Sequence, residues 1–188
     1  MSSKINNLNV LSGHLSTLRN LKTGKISKTD ITTFYIIPLL IAICLAYNSV
    51  GLSKEIVTIL VTAGALFTGL LLNLLILVYD QKGKLPKVNS DDDNWNEIQT
   101  RHTVLNELYY NISYSTLLSL LLVPFSVIYL MVKDLNIPIT IDALSLPNIT
   151  INVSMFVISP ILVLIGINLV LTIMMVIKRI YILLTTES

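Results

Sequence analysis

INVSMFVISPILVLIGINLVLTIMMVIKR, Ile151 to Arg179, runs for 27 residues without a charged side chain and then stops on two cations. A hydrocarbon layer about 30 Å thick is crossed by roughly 20 apolar residues of α-helix, so this segment reads as a membrane span. Its polar members, Asn152, Ser159 and Asn168, then need a reason, because an amide facing lipid is costly.

Outward from this stretch, three more windows share its character: Phe34 to Leu52, Ile56 to Tyr79 and Ile112 to Val132. None holds Asp, Glu, Lys, Arg or His. With 53% hydrophobic residues, 13% charged and a mean hydropathy of +0.75, the 188-residue chain lies outside the range of soluble domains. The expected fold class is all-α: a polytopic membrane protein of four transmembrane helices, with an amino-terminal amphipathic helix and a helical extension of the third span. Residues 1–30 form the arm, and residues 31–188 form the four-helix domain with a loop over 80–111. The first apolar run begins only near residue 34, behind five basic residues, so the first span is expected to be retained rather than cleaved as a signal peptide. The single cysteine, Cys44, lies in that span and reads as a small apolar residue.

Eleven of the thirteen Lys and Arg residues fall before span one, between spans two and three, or after span four; only Lys54 and Lys133 lie in the other connections. The positive-inside rule therefore predicts cytoplasmic termini and a cytoplasmic central loop. A net charge of +2 gives no reason to expect direct nucleic-acid binding.

In the arm, Leu8, Leu11, Leu15 and Leu18 recur at steps of three and four, with His14 and Arg19 elsewhere on the helix. This suits an interfacial helix on the inner leaflet, or a docking helix for a partner. His14 reads as an ordinary polar-face residue, and Gly24 as the helix end. Ser27 and Asp30 form a capping box and Ile26 and Ile31 a hydrophobic staple at the start of span one. In the central loop, Trp95, Ile98, His102, Leu105, Tyr109 and Ile112 keep the helical period, capped by Asn94 and Glu97, so about four turns of stalk lead into span three. Asp91, Asp92 and Asp93 lack the ligand spacing of a calcium loop and suit a helix amino terminus, so no metal site is expected. The short connection around Ser53 and Lys54 predicts a tight hairpin of spans one and two. The alternation near Pro138 and Pro147 predicts a short β-hairpin or a cover over the helix ends.

No span carries an ionisable group, which removes the machinery of proton-coupled transport, and no HExxH, GxSxG or P-loop occurs. No catalytic residue and no cofactor is expected. What the spans do carry is rows of small and polar residues. Thr58, Thr62, Ala65, Gly69 and Asn73 share one face of span two; Asn111, Ser115 and Ser119 share one of span three, with Ser126 two turns on; span four adds Asn168 and Thr172. Such rows bring helices close together, or in several copies line a polar path. The candidates for that packing or path are Thr62, Ala65, Gly69, Asn73, Ser115, Ser119 and Asn168. Leu11, Leu15, Trp95, Ile98 and Leu105 are the candidates for binding a partner. Pro38, Pro124 and Pro160 predict kinks.

With its cytoplasmic arm, four spans and helical loop, and with the segments LLLNLLILVYDQ (70–81) and LNELYYNISYS (105–115), the chain resembles the small membrane components of bacterial antiphage systems. These include the four-span membrane subunit of Kiwa and the membrane effectors that accompany retrons and cyclic-nucleotide systems. The resemblance implies a sensor or effector resident in the bacterial inner membrane that, with a cytoplasmic protein partner, detects infection or compromises that membrane; the expected function is a non-enzymatic, homo-oligomeric component of antiphage defence. The alternatives are a channel or transporter accessory subunit, and a structural anchor recruiting a soluble enzyme.

Overall fold

The computed structural model describes residues 7–19, 27–48, 50–86, 95–139 and 149–185. Four helices are long and apolar enough to cross a membrane: span one Lys28–Tyr47, span two Lys54–Lys84, span three Trp95–Val132 and span four Ser154–Thr185. An arm helix, Leu8–Thr17, precedes them. The chain is an all-α polytopic protein whose two β-strands among the described residues form a ribbon pairing Asn136–Ile139 with Ile149–Asn152, antiparallel, with Pro138 opposite Thr150. That is the short hairpin expected between spans three and four. The residues expected to cap or staple helices at Gly24, Ile26 and Asn94, and the aspartates 91–93, lie outside the described residues.

Local chemistry sets the helix boundaries. Ser27 Oγ accepts the Asp30 N–H at 3.3 Å, which is half of the expected capping box. The Ser27 N–H turns elsewhere, donating to the Leu18 carbonyl at 3.1 Å and tying the end of the arm to the start of span one. Span four is capped by Asn152, whose Oδ1 accepts the Met155 N–H at 3.2 Å while its Nδ2 donates to the Lys133 carbonyl at 3.1 Å. Two of the three prolines follow a π-helical turn: Thr32–Ile36 precedes Pro38, and Ser154–Ile158 precedes Pro160. A wider turn makes room for the proline ring without leaving the helix. Pro124 instead lies inside a continuous α-helix.

Span three is the central element, packed against the arm, span two and span four, while span one packs on span four rather than on span two. The spatial order is therefore one, four, three, two, and the expected hairpin of spans one and two does not form. Their connection is short, but it crosses the ribbon end of the bundle. There the Val50 carbonyl accepts the Ser159 hydroxyl at 3.3 Å and the Leu52 carbonyl accepts the Tyr129 phenol at 2.8 Å. The core joins Leu105, Leu108, Ile112, Leu122 and Tyr129 of span three to Leu162, Leu169 and Val176 of span four and to Val57, Leu71 and Val78 of span two. Lipid is as apolar as these side chains, so close backbone approach holds spans together. Gly64 provides it: a Cβ there would lie 3.0 Å from Val123 Cγ2 and 3.2 Å from the Ser119 carbonyl.

Candidate functional site

The polar row of span three faces inward. Asn111, Ser115, Ser119 and Ser126 are fully buried, as are Ser159 and Thr172 of span four, and Asn168 is 3% exposed. Ser119 Oγ donates to the Thr116 carbonyl at 2.9 Å and accepts the Thr68 hydroxyl of span two at 3.0 Å. Asn168 Nδ2 donates to its own Leu164 carbonyl at 3.3 Å, and the Thr172 hydroxyl donates to the Asn168 carbonyl at 2.8 Å. Arg179 meets Glu107 at one end of spans three and four, and Ser154 meets the Lys133 carbonyl at the other. Interpolation between these contacts sets Asn168 level with Leu118 and Ser119. A polar layer of Thr68, Ser119 and Asn168 thus crosses the middle of the bundle.

This layer belongs to a seam that is incompletely satisfied. Asn168 Oδ1, Ser115 Oγ, Ser126 Oγ and Asn111 Nδ2 are buried without a hydrogen-bond partner among the described residues. Each such group costs roughly 1–3 kcal/mol.

The row of span two faces the opposite way. Thr58, Thr62, Ala65, Gly69 and Asn73 are all exposed on the outer surface of the bundle. Thr58 and Thr62 satisfy their hydroxyls on the Lys54 and Thr58 carbonyls, at 2.9 and 3.1 Å. Asn73 makes no side-chain hydrogen bond among the described residues, and a Cβ on Gly69 would meet no atom within 4 Å. The seven residues expected on one path are therefore divided: Ser115, Ser119 and Asn168 lie inside one chain, and Thr62, Ala65, Gly69 and Asn73 lie outside it.

The arm departs most from expectation. It turns its polar side to the protein: Gly13, His14, Thr17 and Leu18 are buried, whereas Leu8, Leu11 and Leu15 are exposed. His14, expected as a surface residue, is fully buried, stacked on Tyr114 at 4.0 Å between ring centroids and edge-on to Phe34 at 6.2 Å. Its Nδ1 lies 2.8 Å from Asn111 Oδ1, so Nδ1–H donates and Nε2 carries a buried lone pair with no partner among the described residues. The Thr17 hydroxyl is within 2.7 Å of the His14 carbonyl and 2.9 Å of Asn111 Oδ1. Burial lowers the His14 pKa from 6.5 to about 4, against the Asn111 hydrogen bond, which raises it, and with the Arg179 cation, which lowers it further. The imidazole is neutral in the docked arm.

Arg179 closes the arrangement. Its Nε donates to Glu107 Oε2 at 2.8 Å and its Nη2 donates to the Thr17 carbonyl at 3.2 Å, joining the end of span four, the stalk and the arm. Sequence reasoning used Arg179 only as a topological cation and missed Thr17, Thr68, Glu107 and Arg179 as partners; a cation just past one apolar run and a carboxylate just before another is the signal that pairs Arg179 with Glu107. Of the residues expected to bind a partner, Leu11 and Leu15 are 39% exposed, Trp95 and Ile98 are half-buried, and Leu105 is buried at 3% as part of the core. Leu105 is covered because spans two and four extend alongside the stalk, as far as Lys84 and Thr185.

The described residues thus hold a closed polar seam, an arm latched over one end of it, and a polar row turned away from the chain. No protein-family model, curated protein or solved structure matches this chain.

Proposed function

We propose that the chain is a non-enzymatic, self-associating component of bacterial antiphage defence, resident in the inner membrane with both termini in the cytoplasm. In this reading it senses or perturbs the bilayer together with a cytoplasmic protein partner. The observation that carries self-association is Asn73. Its amide sits far from both ends of span two, exposed, on a face whose other members are small or satisfy their own hydroxyls. A neighbouring copy offers the hydrogen bonds that lipid cannot.

The docked arm supplies the control element. The protomer is sealed while His14 and Arg179 hold the arm on span three, and the exposed Leu8, Leu11 and Leu15 present a surface to the membrane boundary or to the partner. Withdrawal of the arm exposes the Asn111 end of the seam. The defence assignment rests on the architectural resemblance, and the orientation on the distribution of basic residues.

The test is phage survival and inner-membrane potential in bacteria expressing the chain with its neighbouring genes, before and after challenge. The proposal expects protection that Asn73→Leu reduces while the chain is still made and inserted. Depolarisation on challenge identifies an effector, and protection with the potential intact identifies a sensor. Unchanged survival and potential in every condition would overturn the defence reading and leave a channel or transporter accessory subunit as the better account.

A further inference from the structure

At the basic end of the bundle, the last turns of span two and Tyr109 of span three line a cleft of about 840 Å³. Lys82, Lys84, Tyr79, Tyr109 and Ile76 are among the residues that line it. Lys84 is neutralised by Asp80 at 2.6 Å. Lys82 has no carboxylate partner among the described residues: its Nζ donates to Asn106 Oδ1 at 2.8 Å and lies 5.6 Å from the centre of the Tyr109 ring. A lysine in the last turn of a helix ordinarily serves the helix dipole. Here the ammonium is instead drawn sideways by the span-three residues Asn106 and Tyr109, of which Tyr109 lines the cleft. The adjoining Gly83 leaves the rim open, since a Cβ on it would meet no atom within 4 Å.

We propose that this cleft binds the phosphate headgroup of an anionic phospholipid, with Lys82 as the charged contact and one acyl chain laid along Ile76. Depth selects lipid over a soluble anion. Tyrosines mark the boundary between headgroups and hydrocarbon, and Tyr79 and Ile76, 70% and 67% exposed, continue the same cleft toward the middle of the membrane. A free phosphate would use the lysine and leave that apolar wall without purpose. The cleft is complete within one chain, so the site does not depend on self-association. Ile76 and Asp80 nevertheless prolong the helical row of Asn73, which sets the lipid at the edge of the self-association face.

The experiment is native mass spectrometry of the full chain purified in detergent and offered phosphatidylglycerol or phosphatidylcholine, with inorganic phosphate as competitor. One lysine near an anionic lipid is worth about a five-fold preference. The site predicts that the unaltered chain retains phosphatidylglycerol over phosphatidylcholine by about that factor, and that phosphate does not displace it. Lys82→Gln should lose the preference, while Lys82→Arg, which keeps the charge, and Lys54→Gln, at the opposite end, should keep it. No preference in the unaltered chain, an unchanged preference in Lys82→Gln, its loss in Lys82→Arg, or ready displacement by phosphate would each overturn the assignment.

Discussion

Asn111 and Asn73 are the same residue in neighbouring helices of one bundle, each in a row of small and polar residues at helical spacing. The first is fully buried, bonded to His14 and Thr17 of the arm; the second is exposed, with no side-chain hydrogen bond among the described residues. The contrast shows what a polar row in a membrane helix does and does not specify. It marks a face that must avoid lipid. It does not say whether the covering surface comes from the same chain or from another copy.

Gly13→Val should disturb the inner row most. A Cβ at Gly13 would overlap the Tyr110 ring, so the arm cannot seat. Overpacking of this kind costs about 3 kcal/mol. Hydrogen exchange should show lost protection over residues 8–17 with the four spans unchanged; retained protection would mean that the arm is held by something other than this packing.

Two glycines of span two sharpen the contrast between the faces. Gly64→Leu drives a side chain into Val123 and the Ser119 carbonyl and should lower the stability of the purified chain by about 2 kcal/mol. Gly69→Leu enters open space and should leave that stability within about 0.5 kcal/mol while blocking self-association. Thermal unfolding and size in detergent separate the two effects.

Acid should loosen the arm by a smaller amount. The His14 pKa is lowered on docking, so the neutral side chain supports the docked arm fully above pH 6.5, and that support is lost as pH falls from 6.5 toward about 4. Between pH 7 and pH 5 the loss should be about 2 kcal/mol. The charged neighbour is Arg179, itself paired with Glu107. Limited proteolysis of the arm across this range should become independent of pH in His14→Gln. The smallest expected effect is Asn73→Leu on association alone, about 0.6 kcal/mol per contact, read as a shift in the monomer–oligomer balance in detergent.

Much of the fold was legible in the sequence. Uninterrupted apolar runs locate the four spans, because a bilayer demands length and forbids charge. The period from Trp95 to Ile112 continues into span three as one helix, and alternation before span four marks the ribbon. That Ser115, Ser119 and Asn168 avoid lipid follows from their polarity. The order of the spans was not legible, since each apolar surface suits any neighbour. Short connections suggested a hairpin, and the hydrogen bonds of Tyr129 and Ser159 to the connecting segment placed span two elsewhere. The role of His14 was hidden for a similar reason. Its partner Asn111 lies 97 residues away, and a histidine opposite leucines reads as solvent-facing until the leucines are seen to face outward.

The central claim is that the span-two row meets a second copy while the span-three row stays within one chain. Oxidative cross-linking in native membranes tests it directly, with Ala65→Cys and Ser119→Cys each introduced into a Cys44→Ser chain, because the native Cys44 is exposed. The account predicts a disulfide-linked dimer from Ala65→Cys and none from Ser119→Cys. Failure of Ala65→Cys to cross-link, or equal cross-linking at both positions, would contradict it.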